Sequence, residues 1–311
     1  MKAIRFTTYG DPSVLELAEV QKPIPRSGEA LIRVAATTFN PVDAAIRAGV
    51  LQQQFPLTLP HIPGIDVSGV VTAVGADVDR SLVGSSVVAF VPMAANGAAA
   101  EYVTAPANLL ATAPVSVPLS DAAALPSSGL TAWQALIEHA GMYAGSRVLV
   151  NGAGGGVGGF TIGLAKHLGA HVIATASPRS SDAVRAAGAD EIIDYTRIPV
   201  IDALTEPVDF VVNLVRTSPA ELAALRDRIN DRGALVSTTT PAVADASRNV
   251  RGENVFVRSD AQQLRNLVSL LDRGVLRLDV GARYPLAELP QVHALGERGQ
   301  LRGKTVVQIP V

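Results

Sequence analysis

The chain has 311 residues, a formal net charge of −2, 48% hydrophobic and 17% charged residues, and no cysteine. That length accommodates two domains, and the apolar content supplies a sizeable core and excludes a disordered chain. The near-neutral charge excludes a broad basic field for nucleic acid or an anionic membrane, and the missing cysteines exclude disulfides, thiolate nucleophiles and cysteine-ligated zinc.

The first ten residues, MKAIRFTTYG, lack the apolar core of a signal peptide, and no run of about 18 apolar residues predicts a membrane span. With no cysteine, the chain fits a reducing compartment, and a cytoplasmic location is expected. Residues 1–115 are rich in short β-like runs: AIRFT, EALIRVAAT, SGVVTAVG, SSVVAFV and AEYVTA. Glycine and proline separate them, which predicts a compact, largely antiparallel barrel or sandwich with one helix from Pro41 to Ala48. From about Ser120 the pattern changes. SDAAALPSSGLTAWQALIEHA reads as helical, and strands and helices then alternate. Strands are predicted at Arg147–Asn151, His171–Thr175, Glu191–Asp194, Val208–Leu214, Ala234–Ser237 and Asn254–Val257. Helices are predicted at Gly158–Leu168, Asp182–Ala187 and Pro219–Ile229. Runs such as VDFVVNLV are continuously apolar, as strands of a parallel sheet covered on both faces must be. The fold class is therefore α/β, with a doubly wound parallel sheet in the middle of the chain. Helices at Ala261–Leu271 and Leu286–Gly299 and a strand at Lys304–Ile309 complete it. This tail is expected to return to the first domain, giving one domain from 1–120 and 260–311 and an inserted domain at 121–259.

Residues 148–160 read VLVNGAGGGVGGF, with glycine at six of the eight positions from Gly152 to Gly159. Such a stretch is either a slack linker or a place where side chains must be absent. A strand precedes it, and the helix after it carries an apolar stripe at Phe160, Leu164, Ala165 and Leu168. A glycine turn into a helix N-terminus is an anion site, because the first N–H groups have no internal partners and the macrodipole is positive there. The spacing Gly152-x-x-Gly155-x-x-Gly158 departs from the strict GxGxxG fingerprint, but with its strand–helix–strand context it predicts a bound dinucleotide. Gly152, Gly155 and Gly158 are expected to matter, with Gly154, Gly156 and Gly159 less constrained.

A carboxylate near the end of the second strand would bind the ribose of NAD. Here that strand ends ATASPRSSD, with Thr175, Ser177 and Arg179 at its tip and Asp182 as the first carboxylate. Hydroxyls and a guanidinium accept a 2′-phosphate, so NADPH is expected over NADH; the plainer reading leaves Arg179 a surface arginine. The five histidines, His61, His139, His167, His171 and His293, include no metal-binding spacing. Gly303-Lys304-Thr305 ends like a P-loop, but Arg298 stands where its first glycine would fall.

Several stretches together resemble the zinc-independent quinone oxidoreductases of the medium-chain dehydrogenase/reductase superfamily, the zeta-crystallin-like branch. They are TTFNPVDAAIRAG (37–49), HIPGIDVSGVVTAVG (61–75), AAAEYVTAPAN (98–108), AALPSSGLTAWQAL (123–136), VLVNGAGGGVG (148–158), AGADEIIDY (187–195) and LRGKTVVQI (301–309). The resemblance implies a GroES-like β-barrel domain, a Rossmann-type domain, NADPH as hydride donor, a cleft between the domains and a homodimer. It implies no catalytic zinc, because the zinc enzymes carry His-Glu after the glycine of this segment and here Gly64 is followed by Ile65-Asp66. By resemblance Asn40 is an active-site asparagine and Thr131 contacts the nicotinamide amide. Tyr195 packs near the adenosine 2′-phosphate and Lys304 lines the cofactor cleft. Gly155, Val157 and Gly158 match the pyrophosphate turn. Ala44 and Ala45 replace a polar residue and a tyrosine common in relatives, Gly84-Ser85-Ser86 replaces Gly-Asp-Arg, and Asn213 replaces an aspartate.

The expected reaction moves hydride from NADPH to a small-molecule quinone or α,β-unsaturated carbonyl. Asn40, Thr131 and Lys304 are the candidate donors to the reduced oxygen, solvent supplies the proton, and Asp43 has a structural role at its helix start. Two alternatives stay open: an enoyl reductase acting on a carrier-linked substrate, and a non-catalytic NADPH sensor.

Overall fold

The computed structural model describes residues 1–310. In chain order its first elements are β1 (Lys2–Arg5), β2 (Glu16–Glu19), β3 (Glu29–Thr38), α1 (Pro41–Arg47), β4 (Asp66–Val74), β5 (Ser86–Phe90), β6 (Tyr102–Pro106) and β7 (Ala111–Thr112). Then come α2 (Leu119–Ala122), α3 (Pro126–Trp133), a π-helical segment (Gln134–Ala140), β8 (Arg147–Asn151), α4 (Gly156–His167), β9 (His171–Ala176), α5 (Ser181–Ala186) and β10 (Glu191–Asp194). The remainder is α6 (Val200–Ala203), β11 (Val208–Asn213), α7 (Pro219–Asp227), β12 (Ile229–Ser237), β13 (Arg251–Asn254), α8 (Ala261–Asp272), β14 (Val280–Pro285), α9 (Leu289–Glu297) and β15 (Lys304–Gln308).

The chain divides into two compact units. The first comprises Met1–Ser127, Ser259–Asp272 and the segment from Val280 onward; the second comprises Ser128–Arg258 and Arg273–Asp279. In the first unit a sheet runs β14-β15-β3-β4-β5-β7, with β6 also paired to β3. All its pairings are antiparallel except β14 with β15. The ten-residue β3 is the hub, and its register against β4 shifts twice, between Leu31 and Ile32 and between Val34 and Ala36. Such bulges bend a sheet and let it wrap a core, here built from residues such as Phe6, Ile32, Val67, Val87, Val103 and Val307.

The second unit holds a six-stranded parallel sheet in the order β10-β9-β8-β11-β12-β13. Counted from β8 this is 3-2-1-4-5-6, the Rossmann order, whose switch point lies between the first and fourth strands. β8, β9 and β11 are buried almost along their whole length, as their continuous apolar runs require. Leu149, Ile173, Val211 and Leu235 pack with Leu222 and Leu225 of α7.

Several boundaries differ from the sequence expectation. The predicted strand at Asn254–Val257 lies at Arg251–Asn254, and β12 begins five residues before the predicted Ala234. The predicted helix from Leu286 to Gly299 is a short 3-10 turn followed by α9, which opens with Pro290 in its first turn, where no N–H is needed. β14 escaped the sequence reading because its alternation, VGARYP, lacks an apolar face. α2 lies with the barrel unit, where Asp121 accepts two hydrogen bonds from Arg283 at 2.8 and 2.7 Å. Among the described residues no helix is long and apolar enough to cross a membrane.

Candidate active site and dinucleotide site

β8 ends at Asn151 and the chain turns through Gly152, which has φ +87°. A Cβ there would lie 2.9 Å from Cβ of Val215, so both backbone and packing demand glycine. Gly158, in the first turn of α4, crosses Ala153 so closely that a Cβ would fall 2.1 Å from its carbonyl oxygen. Gly154 corrects the expectation of looser constraint, because its Cβ would meet Oγ of Ser180 at 2.5 Å.

Gly155 is different. Its φ of −91° and ψ of 177° suit any residue, and a Cβ would meet only the Gly152 carbonyl at 3.8 Å. Nothing inside the protein requires glycine there, and the position is exposed. It is the N-cap of the twelve-residue α4, has no side-chain cap, and is followed by no acidic residue in the first turn. An exposed, uncapped helix start with its side chain missing is the cradle a pyrophosphate fits. Val157 is half-buried beside it.

At the end of β9 the sequence-predicted hydroxyls separate. Thr175 is buried, accepts from Gly152 N at 2.8 Å and donates to Oδ1 of Asn151 at 3.0 Å, so its hydroxyl serves the glycine turn. Ser177 is half-buried and Arg179 exposed in the turn that follows. Tyr195, just after β10, is 53% exposed. Thr131 is buried on α3.

In the barrel unit, residues distant in sequence converge on Asp66. Asn40 is extended, as a residue before proline must be, and Pro41 opens α1, whose first turn carries Asp43. Asp66, the first residue of β4, is fully buried. Its Oδ1 accepts from Ser127 N at 2.7 Å. Its Oδ2 accepts from Thr38 Oγ1 at 2.5 Å, Ser127 Oγ at 2.8 Å, Asn40 Nδ2 at 3.0 Å and Lys304 Nζ at 3.1 Å. Burial works against this charge, but the Lys304 ammonium and the Thr38 and Asn40 hydrogen bonds outweigh it and hold the carboxyl below its usual range.

Asn40 Oδ1 accepts from Lys304 Nζ at 2.7 Å and shares the single Ser127 hydroxyl proton with Asp66, at 3.1 Å from Ser127 Oγ, while Nδ2 also donates to Asp43 Oδ2 at 3.2 Å. The amide's two N–H groups are thus spent inside the protein. Lys304, 4% exposed, has three N–H donors and spends two in these bonds. Asp43 accepts from Gly64 N at 3.2 Å, and burial, then the neighbouring Asp66 charge, raises its pKa to about 7. Nearby His61 is kept neutral by burial, its pKa lowered to about 4.

The structure therefore brings Asn40 and Lys304 together in one unit, and sets the glycine turn, Ser177, Arg179 and Tyr195 at the ends of neighbouring strands in the other. Sequence reasoning missed Asp66 and Ser127 as the centre of the first cluster. The available signal was a lone charge inside the apolar run HIPGIDVSGVV, since a buried charge must be paired.

Residues 26–115 match the alcohol dehydrogenase GroES-like domain family, and residues 187–307 match the family described as zinc-binding dehydrogenase. A chloroplast envelope quinone oxidoreductase homolog of Arabidopsis thaliana is 32% identical over 326 aligned positions, covering 99% of this chain and 98% of the relative. The chain belongs to the quinone oxidoreductase family of medium-chain dehydrogenases/reductases. The solved quinone oxidoreductase of Coxiella burnetii superposes with a TM-score of 0.90 at 32% identity, covering 100% of this chain and 99% of that one. A mycobacterial protein solved with NADPH superposes at 0.84 with 31% identity, covering 99% of each chain.

Membership in the quinone oxidoreductase family makes the chain an oxidoreductase working with a nicotinamide cofactor, and the Gly155 cradle fits that cofactor's pyrophosphate. The zinc of the second family description finds no counterpart in the donor set. Among the described residues no three His, Cys, Asp or Glu side chains are grouped to hold a metal, and the carboxylate of Asp66 already faces an ammonium.

Proposed function

We propose that the chain reduces a quinone or an α,β-unsaturated carbonyl, with NADPH as hydride donor and without catalytic zinc. The observation that carries this reading is Lys304. Asp66 and Asn40 fix its ammonium in a buried cradle, and one N–H remains to donate. A preorganised cation in a water-poor site stabilises oxygen that gains negative charge as hydride arrives elsewhere on the acceptor. Asn40 acts by aiming that ammonium, since both its N–H groups are spent. Thr131 orients the nicotinamide amide.

When bound, NADPH supplies hydride from C4 of its nicotinamide. The chain's residues orient donor and acceptor and answer the charge that develops. The preference for NADPH is supported by the end of β9, where Ser177 and Arg179 precede any carboxylate. The first one, Asp182, has a side chain 97% exposed and is paired with Arg185 at 3.3 Å. Tyr195 at the neighbouring strand end is the further candidate to pack near the 2′-phosphate. A homodimer is the expected assembly, testable by sedimentation.

The test is oxidation of NADPH and NADH by a panel of quinones, enones and acyl thioesters, after dialysis against a chelator and with metal analysis. Turnover of quinones or enones, faster with NADPH and indifferent to the chelator, supports the reading. Turnover confined to acyl thioesters, loss of activity with zinc removal, or binding without turnover would each overturn it.

A further inference from the structure

A row of buried polar side chains crosses the C-terminal edge of the parallel sheet. Asn151 ends β8 and Asn213 ends β11, opposite one another in register, and Ser237 ends β12 opposite Asn213. Thr175 stands next to the end of β9. All four are at most 6% exposed. Polar groups this deep are costly unless paired, and apolar residues there would simply have extended the core.

They are paired, and in one direction. Gly152 N donates to Thr175 Oγ1 at 2.8 Å, and Thr175 Oγ1 donates to Asn151 Oδ1 at 3.0 Å. Asn151 Nδ2 donates to Asn213 Oδ1 at 2.9 Å, and Asn213 Nδ2 donates to Ser237 Oγ at 3.1 Å. Chains of this kind polarise one another, each bond strengthening the next. A second arm runs from the same amide. Asn213 Nδ2 donates to the carbonyl of Val215 at 2.9 Å, and Val215 is the residue that packs where a Cβ of Gly152 would be. Gly152 is therefore gripped from two sides, through Thr175 and through Val215, and both grips run to Asn213.

We propose that Thr175, Asn151 and Asn213 are positioning residues of the dinucleotide site, a hydrogen-bonded chain that holds the Gly152 turn in its binding shape. The proposal rests on reading that turn as the cofactor's pyrophosphate site. Asn213 lies two strands away from β9, on the far side of β8, so its side chain affects Thr175 only through the chain. Coupling between the two is the property to measure.

The experiment is calorimetric titration of NADPH into wild type, Thr175→Val, Thr175→Ser, Asn213→Leu and the Thr175→Val/Asn213→Leu double variant, each with its thermal unfolding curve. Thr175→Val and Asn213→Leu should each raise the NADPH Kd by about tenfold, the loss of one buried hydrogen bond. The double variant should bind no more weakly than Asn213→Leu alone, because that change already breaks both arms. Thr175→Ser, which keeps the hydroxyl, should stay within about twofold of wild type. A double variant about a hundredfold weaker means two independent effects and overturns the proposal. So do single variants that bind as wild type does, and a Thr175→Ser as weak as Thr175→Val.

Should Asn213→Leu not fold, Asn213→Asp replaces it. Protonated, that carboxyl keeps the acceptor and one of the two donors; ionised, it has no donor. Its NADPH Kd should lie closest to wild type at low pH and climb away from it as pH rises toward about 10, since burial raises a carboxyl by up to 3–5 pH units. A Kd that tracks wild type throughout overturns the proposal. Wild type that binds neither NADPH nor NADH overturns the dinucleotide reading together with this one, whereas tight wild-type binding with unaffected variants overturns this one alone.

Discussion

Replacing Asp43 by asparagine should change how stability depends on pH, in a direction opposite to that of carboxylates whose pKa a cationic partner lowers. In the folded protein burial and the Asp66 charge raise the Asp43 carboxyl to about 7, against 3.8 for an unperturbed one. Between those values the native state holds a proton that the unfolded chain has released. Stability from this group is therefore greatest below about pH 4 and is lost as pH rises toward 7, above which both states are ionised. At about 1.36 kcal/mol per pH unit, the full difference is ~4 kcal/mol, of which roughly 2–3 kcal/mol falls between about pH 5 and 8. His61 and His293 tilt the wild-type curve the other way. Burial lowers their pKa values to about 4 and about 3, so the unfolded chain takes up protons as pH falls below 6.5. The difference between wild type and Asp43→Asn cancels the histidines. Urea unfolding of both proteins across this range should show the variant gaining roughly 2–3 kcal/mol relative to wild type from about pH 5 to 8. Parallel curves would refute the argument, because they would mean that Asp43 ionises in the fold as it does in water.

Gly155→Ala should fold with near-native stability, losing only about 1 kcal/mol for an alanine at a helix N-cap, yet should weaken NADPH binding at least tenfold in a titration. Unchanged binding would mean the open space at Gly155 is not a ligand's. Lys304→Met strands the buried Asp66 charge and should cost ~3–5 kcal/mol in chemical denaturation; a loss under about 1 kcal/mol would mean that water reaches the pair. Arg179→Asp should raise the KM for NADPH far more than the KM for NADH, and an equal effect on both would remove Arg179 from the 2′-phosphate site.

The parallel sheet was legible in the sequence because its central strands β8, β9 and β11 are continuous apolar runs and its turn is unmistakably glycine-rich. The barrel was legible as a class, from short strands with closely spaced turns, but not in its pairing, since β14 lies beside β15 and has no apolar face. At the candidate site the sequence offered Asn40, Thr131 and Lys304 singly. What it could not offer was that Asn40 and Lys304 meet on Asp66, because that convergence joins positions 264 residues apart. Nor could glycine counting tell Gly155 from Gly154 and Gly158. The latter two are dictated by Ser180 and Ala153, whereas Gly155 is open at the exposed start of its helix.

The same carboxyl that tilts the stability curve should also appear in the rate. Below pH 7 the cluster holds one negative charge, on Asp66, and one positive charge, on Lys304; above it Asp43 adds a second negative charge. Lys304 is proposed to answer charge developing on the acceptor oxygen, and an ionised Asp43 draws on the same ammonium. Turnover at saturating cofactor and acceptor should therefore fall roughly tenfold, a barrier change of about 1.4 kcal/mol, as pH rises through about 7. Asp43→Asn removes the titrating group, and its profile should be flat where wild type declines. If the decline persists in the variant, the group that titrates is elsewhere. If wild type shows none, Lys304 is not answering charge in the step that limits turnover, even with its cradle intact.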